Sequence, residues 1–149
     1  MPPYRSVVVG TDGSPPSMRA VARAAEVAGD SAELVIVCAY HPNSGRDVER
    51  ARDEMGEEAF QVVGSAPAEE RLRTATEHAR AAGARLVDTV AVLGSPVESL
   101  LDVAERRPAE LLVVGSRGLN TVKGRILGSV PSEISRRSEC DVLVVRTTR

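Results

Sequence analysis

Five short stretches rich in branched apolar residues, separated by segments with helical spacing, limit most strongly what this chain can become. They are Ser6–Gly10, Glu33–Ala39, Val87–Leu93, Leu111–Val114 and Val142–Val145. Runs such as Val7-Val8-Val9 and Leu34-Val35-Ile36-Val37-Cys38 have no polar alternation, which suits parallel strands covered on both faces. Between them, Met18, Val21, Ala22, Ala25 and Ala28 recur on one helical face, as do Leu72, Ala75, Ala79 and Ala82, and again Val97, Leu100, Leu101 and Ala104. Strand and helix in alternation predict an α/β fold: a doubly wound parallel sheet with helices on both faces. At 149 residues, one domain over 1–149 is expected, with enough chain for a real core.

The punctuation agrees. Thr11-Asp12-Gly13-Ser14-Pro15 is a turn, Gly29-Asp30 ends the first helix, and Pro67 opens a second that stops at Gly83. Ser95, Pro96 and Glu98 form a helix start with a cap, a first-position proline and a capping box. Residues 46–66 are harder to read. Asp47 to Glu58 is charged and helix-compatible but has a thin apolar face, which predicts a short helix or an excursion.

The most informative stretch is LLVVGSRGLNTVKGRILGSVPS, residues 111–132. It leaves a strand at Gly115, passes Gly118 and reaches Gly128-Ser129, where helix-start signals begin. Ser129 reads as the N-cap, Pro131 as a first-turn proline, and Glu133 suits the positive end of the helix. Glycines let main-chain N–H groups approach a ligand, and a helix N-terminus favours an anion. Arg117, Lys123 and Arg125 lie in this stretch, which holds no Asp or Glu, in a chain of formal net charge -2. The pattern points to a phosphate site; turn glycines and solvated loop cations are the plain structural alternative. Asp12, after the first strand, repels phosphate but accepts hydrogen bonds from sugar hydroxyls. Its plain alternative is a turn or capping residue. If the first and fourth strands are neighbours, the two loops face one crevice, where ligands of such folds sit.

Other chemistries are poorly supported. An acidic balance and 2% aromatic residues argue against a nucleic-acid binder, since Tyr4, Tyr40 and Phe60 make no stacking platform. Cys38 and Cys140 have no metal-site spacing and read as small buried residues. No apolar run is long enough to span a bilayer, and MPPYRSVVVG has no signal-peptide core. A cytoplasmic location is expected. G-x-G-x-x-G and G-x-S-x-G are absent, and Lys123-Gly124 reverses the lysine and glycine of a P-loop. A receiver domain shares the layout but needs an aspartate and a lysine where this chain has Leu93-Gly94 and Arg146. His41 and His78 have no evident partner, and no nucleophile–base pair or paired carboxylates stand out. No catalytic residue and no metal site are expected.

The spacing Gly115-x2-Gly118-x9-Gly128-Ser129 resembles the nucleotide motif of the universal stress protein family. The resemblance runs from VVVGTDGS through LLVVGSRG to GSVPSEISRRSECDVLVV. It implies a five-stranded parallel sheet of order 3-2-1-4-5, an adenine-nucleotide ligand, and a homodimer formed through the last strand, Val142–Val145. It implies that Gly10 and Thr11 line the floor of the site, that Asp12 holds the ribose, and that the main chain of Ala39 meets adenine. Val114, Gly115, Ser116, Arg117 and Gly118 would wrap the sugar and first phosphate. Gly128, Ser129 and Val130 would bind phosphate oxygens. Many ATP-binding members carry Ser or Thr where this chain has Pro131, which offers neither hydroxyl nor N–H. The G-S-V-P version resembles small actinobacterial members associated with cyclic AMP. The expected function is therefore a regulatory or sequestering module for cyclic AMP or ATP, with magnesium accompanying ATP, rather than an enzyme. The alternatives are a slow ATPase and a nucleotide-free, chaperone-like interaction protein. A β-branched residue at Gly115 is expected to fill the pocket.

Overall fold

The computed structural model describes residues 3–40, 65–116 and 129–147. Strand β1, Ser6–Gly10, carries Val7, Val8 and Val9, none of which has any solvent exposure. A strand that apolar on both sides requires a layer on each face, and the helices supply it. Helix α1, Pro15–Ala28, follows. The Ser14 side chain accepts from the Ser17 amide at 3.3 Å, and prolines fill the first helical positions, where a missing N–H costs nothing. Its buried stripe is mostly alanine (Ala20, Ala24, Ala25, Ala28 with Met18 and Val21), so the helix lies close on the sheet.

Strand β2 is Glu33–Tyr40, helix α2 Ser65–Ala81, strand β3 Leu86–Leu93, helix α3 Pro96–Arg106, strand β4 Leu111–Gly115, helix α4 Ser129–Arg137 and strand β5 Asp141–Val145. All ladder pairings are parallel, in the order β3-β2-β1-β4-β5. Two cores result. On one face Val7, Val9, Leu34, Ile36, Cys38, Leu111 and Val113 meet α1 and α2. On the other Val8, Val35, Val37, Leu112 and Val114 meet α3 and α4 through Leu100, Val103, Val130 and Ile134. β3 and β5 are the sheet edges.

Details differ from the pattern-based reading. α2 begins at Ser65, not Pro67, so the proline sits inside the first turn. Residues 46–64 of the expected excursion lie outside the described residues. On α3 the buried residues are Ser99, Leu100, Val103 and Ala104, with Val97 and Leu101 only partly covered. β4 runs on to Gly115 because the Ser116 amide donates to the Val145 carbonyl at 2.7 Å and prolongs the ladder with β5. Ser129 is the first helical residue of α4 rather than its cap, and Glu133 pairs with Arg136 and Arg137 further along the helix.

Candidate functional site

β1 and β4 are paired side by side, with Val7 opposite Leu111 and Val9 opposite Val113. Their carboxyl ends therefore open at one place. The chain leaves β1 for α1 on one face, while α4, which leads into β5, packs on the other face. The winding of the sheet reverses at this point, and a crevice forms beyond the strand ends. The turn after β1 and the end of β4 at Gly115–Ser116 border it.

The β1 wall is braced by its own side chains. The Thr11 amide donates to the Val37 carbonyl at 2.9 Å, carrying the ladder one residue past β1. The Thr11 side chain is fully buried: Oγ1 lies 2.7 Å from Ser17 Oγ and accepts from the Gly13 amide at 3.0 Å. Asp12 is partly exposed, and its Oδ1 accepts from the Ser14 amide at 2.9 Å. Its plain reading as a turn residue holds. One carboxylate oxygen shapes the turn, and the group still reaches solvent at the mouth of the crevice. Gly10 faces inward, where a Cβ would stand 3.0 Å from both Cδ atoms of Leu100. Its bareness serves the approach of α3.

The β4 wall begins with Val114, buried under α3 and α4, then Gly115 and Ser116. A Cβ on Gly115 would lie 2.9 Å from Thr147 Cγ2. It would point at the residues after β5. The expectation that a β-branched residue here fills the pocket is therefore corrected: the clash is with the protein's own Thr147. The Ser116 hydroxyl also turns that way, accepting from the Thr147 amide at 3.1 Å, and the Ser116 amide donates to the Val145 carbonyl at 2.7 Å. Arg117, Gly118 and Gly128, together with Lys123 and Arg125, lie outside the described residues. At the start of α4, Ser129 is exposed, while Val130 and Pro131 are buried. First-turn N–H groups of a helix have no intrahelical acceptor, and Pro131 removes one of them.

The third margin is the end of β2. Ala39 and Tyr40 are partly buried, and the Tyr40 carbonyl accepts from the Gly94 amide at 2.8 Å. Beneath them Cys38 is buried, and burial pushes its thiol above the ordinary value. The Arg71 guanidinium pulls the thiol partly back, while Asp12 and Glu69 add to the rise. Arg71, Asp12 and Cys38 thus share one neighbourhood. Arg71 reaches it from α2 across Gly13, whose Cβ, if present, would be 2.7 Å from Arg71 Cγ. Among the described residues, no cluster of three or more His, Cys, Asp or Glu side chains is arranged to hold a metal. No described helix is long and apolar enough to cross a membrane.

Two residues at this end of the sheet escape a reading by pattern. Arg71 looks like any exposed helix cation. Thr147 looks like a polar residue beyond the last strand, yet it is 4% exposed. Contacts between distant segments have no local signal; a buried hydroxyl beside a glycine emerges only from coordinates.

Comparison with known proteins gives a consistent picture. The family model of the universal stress protein family matches residues 3–146. A Mycobacterium tuberculosis protein, universal stress protein Rv1636, is 49% identical over 148 residues, which cover 99% of this chain and 100% of that protein. A crystal structure of a universal stress protein in complex with cAMP is 43% identical, with TM-score 0.74, covering 97% of this chain and 98% of that one. A universal stress protein from Archaeoglobus fulgidus in complex with dAMP has TM-score 0.68 over 96% of this chain and 98% of that one; at 22% identity it speaks for the fold.

Proposed function

The chain belongs to the universal stress protein family, and from that premise we propose that it binds an adenine nucleotide in the crevice between β1 and β4. The observation that carries this reading is the direct pairing of those two strands. It brings the Asp12 turn beside the Gly115 turn, with the end of β2 next in the sheet. A carboxylate on one side and main-chain donors on the other match a ribose joined to a phosphate. The cAMP complex of a 43% identical neighbour supports the same ligand class.

Cyclic AMP is favoured over ATP. A cyclic monophosphate carries one negative charge and leaves the 2′-hydroxyl free for Asp12. It also needs fewer donors than a triphosphate, which suits a helix start that includes Pro131. The proposed role is regulation or sequestration in the cytoplasm, without hydrolysis. The active form is a homodimer through β5, whose Val142, Leu143 and Val144 are only partly buried on this single chain.

A binding panel of cyclic AMP, AMP, ADP and ATP, with and without magnesium, tests the reading. Cyclic AMP should bind without magnesium and raise the melting temperature. Strong magnesium-dependent ATP binding with no response to cyclic AMP would overturn the preference. Silence from every nucleotide would overturn the site and favour an interaction protein that keeps only the fold.

A further inference from the structure

A polar residue beyond the last strand is ordinarily solvated, but Thr147 is 4% exposed and is built into the β4 turn. Three contacts join it to that turn. Its amide donates to Ser116 Oγ at 3.1 Å, its own Oγ1 lies 3.3 Å from the same hydroxyl, and its Cγ2 occupies the space that a Cβ on Gly115 would need. The Ser116 amide closes the arrangement by donating to Val145, two residues before Thr147. From α1, Arg19 Nη1 reaches the Thr147 carbonyl at 3.4 Å.

We infer that Thr147 is a positioning residue for the nucleotide site, a role that rests on the function proposed above. The Ser116 N–H is spent on Val145, so the main chain that can meet a phosphate here is that of Gly115, and it must keep one direction to do so. A glycine such as Gly115 adds little stiffness of its own to the main chain. Ser116 has a side chain, and that side chain is held by Thr147 on the side away from the crevice. The course of Gly115 and Ser116 is thus fixed by Thr147, just beyond β5. Preorganised donors bind an anion more tightly because their ordering cost is already met on folding. The absence of a Cβ at Gly115 then has a reason beyond ligand access: it leaves room for the Thr147 methyl.

The test separates phosphate binding from folding. Cyclic AMP and adenosine are titrated into the wild-type protein, Thr147→Ala, Thr147→Ser and Thr147→Val, with melting temperatures recorded beside them. Loss of the Oγ1–Oγ contact in Thr147→Ala and Thr147→Val should weaken cyclic AMP by about fivefold to tenfold. Adenosine, which has no phosphate, should bind as to the wild type. Thr147→Ser keeps the hydroxyl and should bind cyclic AMP normally. A second arm uses Gly115→Ala, which should lose cyclic AMP affinity by about tenfold. Adding Thr147→Ser deletes Cγ2, the atom in the way, and should restore most of that loss. Equal weakening of cyclic AMP and adenosine would make Thr147 merely structural and overturn the inference. So would unchanged cyclic AMP affinity in Thr147→Ala, or no rescue in the double variant. A wild-type protein that binds neither ligand would overturn the nucleotide site itself, and the inference with it.

Discussion

Arg71 lies across Gly13: a Cβ on the glycine would stand 2.7 Å from Arg71 Cγ, 2.8 Å from Cδ and 3.2 Å from Nε. The glycine also holds φ at +84°, a region that side-chain-bearing residues avoid. Substitution here therefore meets two costs of different origin. Gly13→Ala should destabilise the fold by about 1–2 kcal/mol from the backbone conformation, with a further loss as Arg71 is displaced. The double variant Gly13→Ala/Arg71→Ala removes the obstruction but not the backbone strain. Urea midpoints of the two single variants and the double should be non-additive, with the double less destabilised than the sum. Simple additivity would mean that Arg71 moves aside freely.

The same arginine bears on Cys38. Burial raises that thiol above its ordinary pKa, and Arg71 opposes the rise. The thiolate is the reactive form, so Cys38 should alkylate far more slowly than Cys140, which is partly exposed. Arg71→Met should slow Cys38 further, since the opposing cation is gone. Mass spectrometry after timed treatment with iodoacetamide at pH 8 reads both rates. Faster labelling of Cys38 in the variant would contradict this, provided the melting temperature is unchanged.

Acid should loosen the sheet edge at β3. Arg107 donates to both Glu33, at 2.9 Å, and Asp88, joining the start of β2 to β3 from the end of α3. The hydrogen bond from Arg107 holds the Asp88 carboxyl below its ordinary value. On α3, Glu98 is likewise depressed by its hydrogen bond to Arg137 of α4. A carboxyl depressed in the folded state adds stability above its unfolded pKa, and that contribution fades as pH falls through the folded value. The loss should therefore begin below about pH 4 and continue downward. All these groups are substantially exposed, so each contribution is small. Arg107→Ala should lower the urea midpoint at pH 6 and flatten the decline between pH 4 and 2. Identical acid slopes for the two proteins would remove Arg107 as the cause.

Much of this was legible in the residues. Val7-Val8-Val9 and Leu34 to Cys38 announce strands covered on both sides, because nothing polar interrupts them. The Ser95 cap and Pro96 announce α3, and the Ser95 hydroxyl does accept from the Glu98 amide, at 3.4 Å. The strand order came from family resemblance, since alternation alone permits several orders, and the pairing of β1 with β4 bears it out. What stayed hidden are contacts between remote segments, such as Ser116 with Thr147 and Gly13 with Arg71. Local patterns carry no information on them. The glycine at 115 was legible as special, but not for the reason the structure gives: a Cβ there would meet Thr147.

Pro131 bears on the choice between nucleotides. It lies in the first turn of α4 and offers no N–H. Pro131→Ser returns an amide and adds a hydroxyl to the first turn of α4, the end at which the proposed site would take a longer phosphate chain. The ratio of ATP to cyclic AMP affinity should rise by about fivefold or more, the worth of roughly one added hydrogen bond. Parallel titrations of both nucleotides with magnesium present check this. An unchanged ratio would show that residue 131 does not govern the preference.

In the proposed complex Asp12 takes the ribose of a nucleotide held between β1 and β4. Asp12→Asn keeps an oxygen for the Ser14 amide that now donates to Oδ1 at 2.9 Å, so the turn survives while the charge is lost. Calorimetric titration of cyclic AMP and 2′-deoxy cyclic AMP into the wild-type protein and Asp12→Asn is the most direct measurement. The wild-type protein should prefer the ribose form by about tenfold, and the variant should lose most of this preference, as expected for a charge-assisted hydrogen bond. A wild-type protein indifferent to the 2′-hydroxyl, or a preference that persists undiminished in Asp12→Asn, would contradict it.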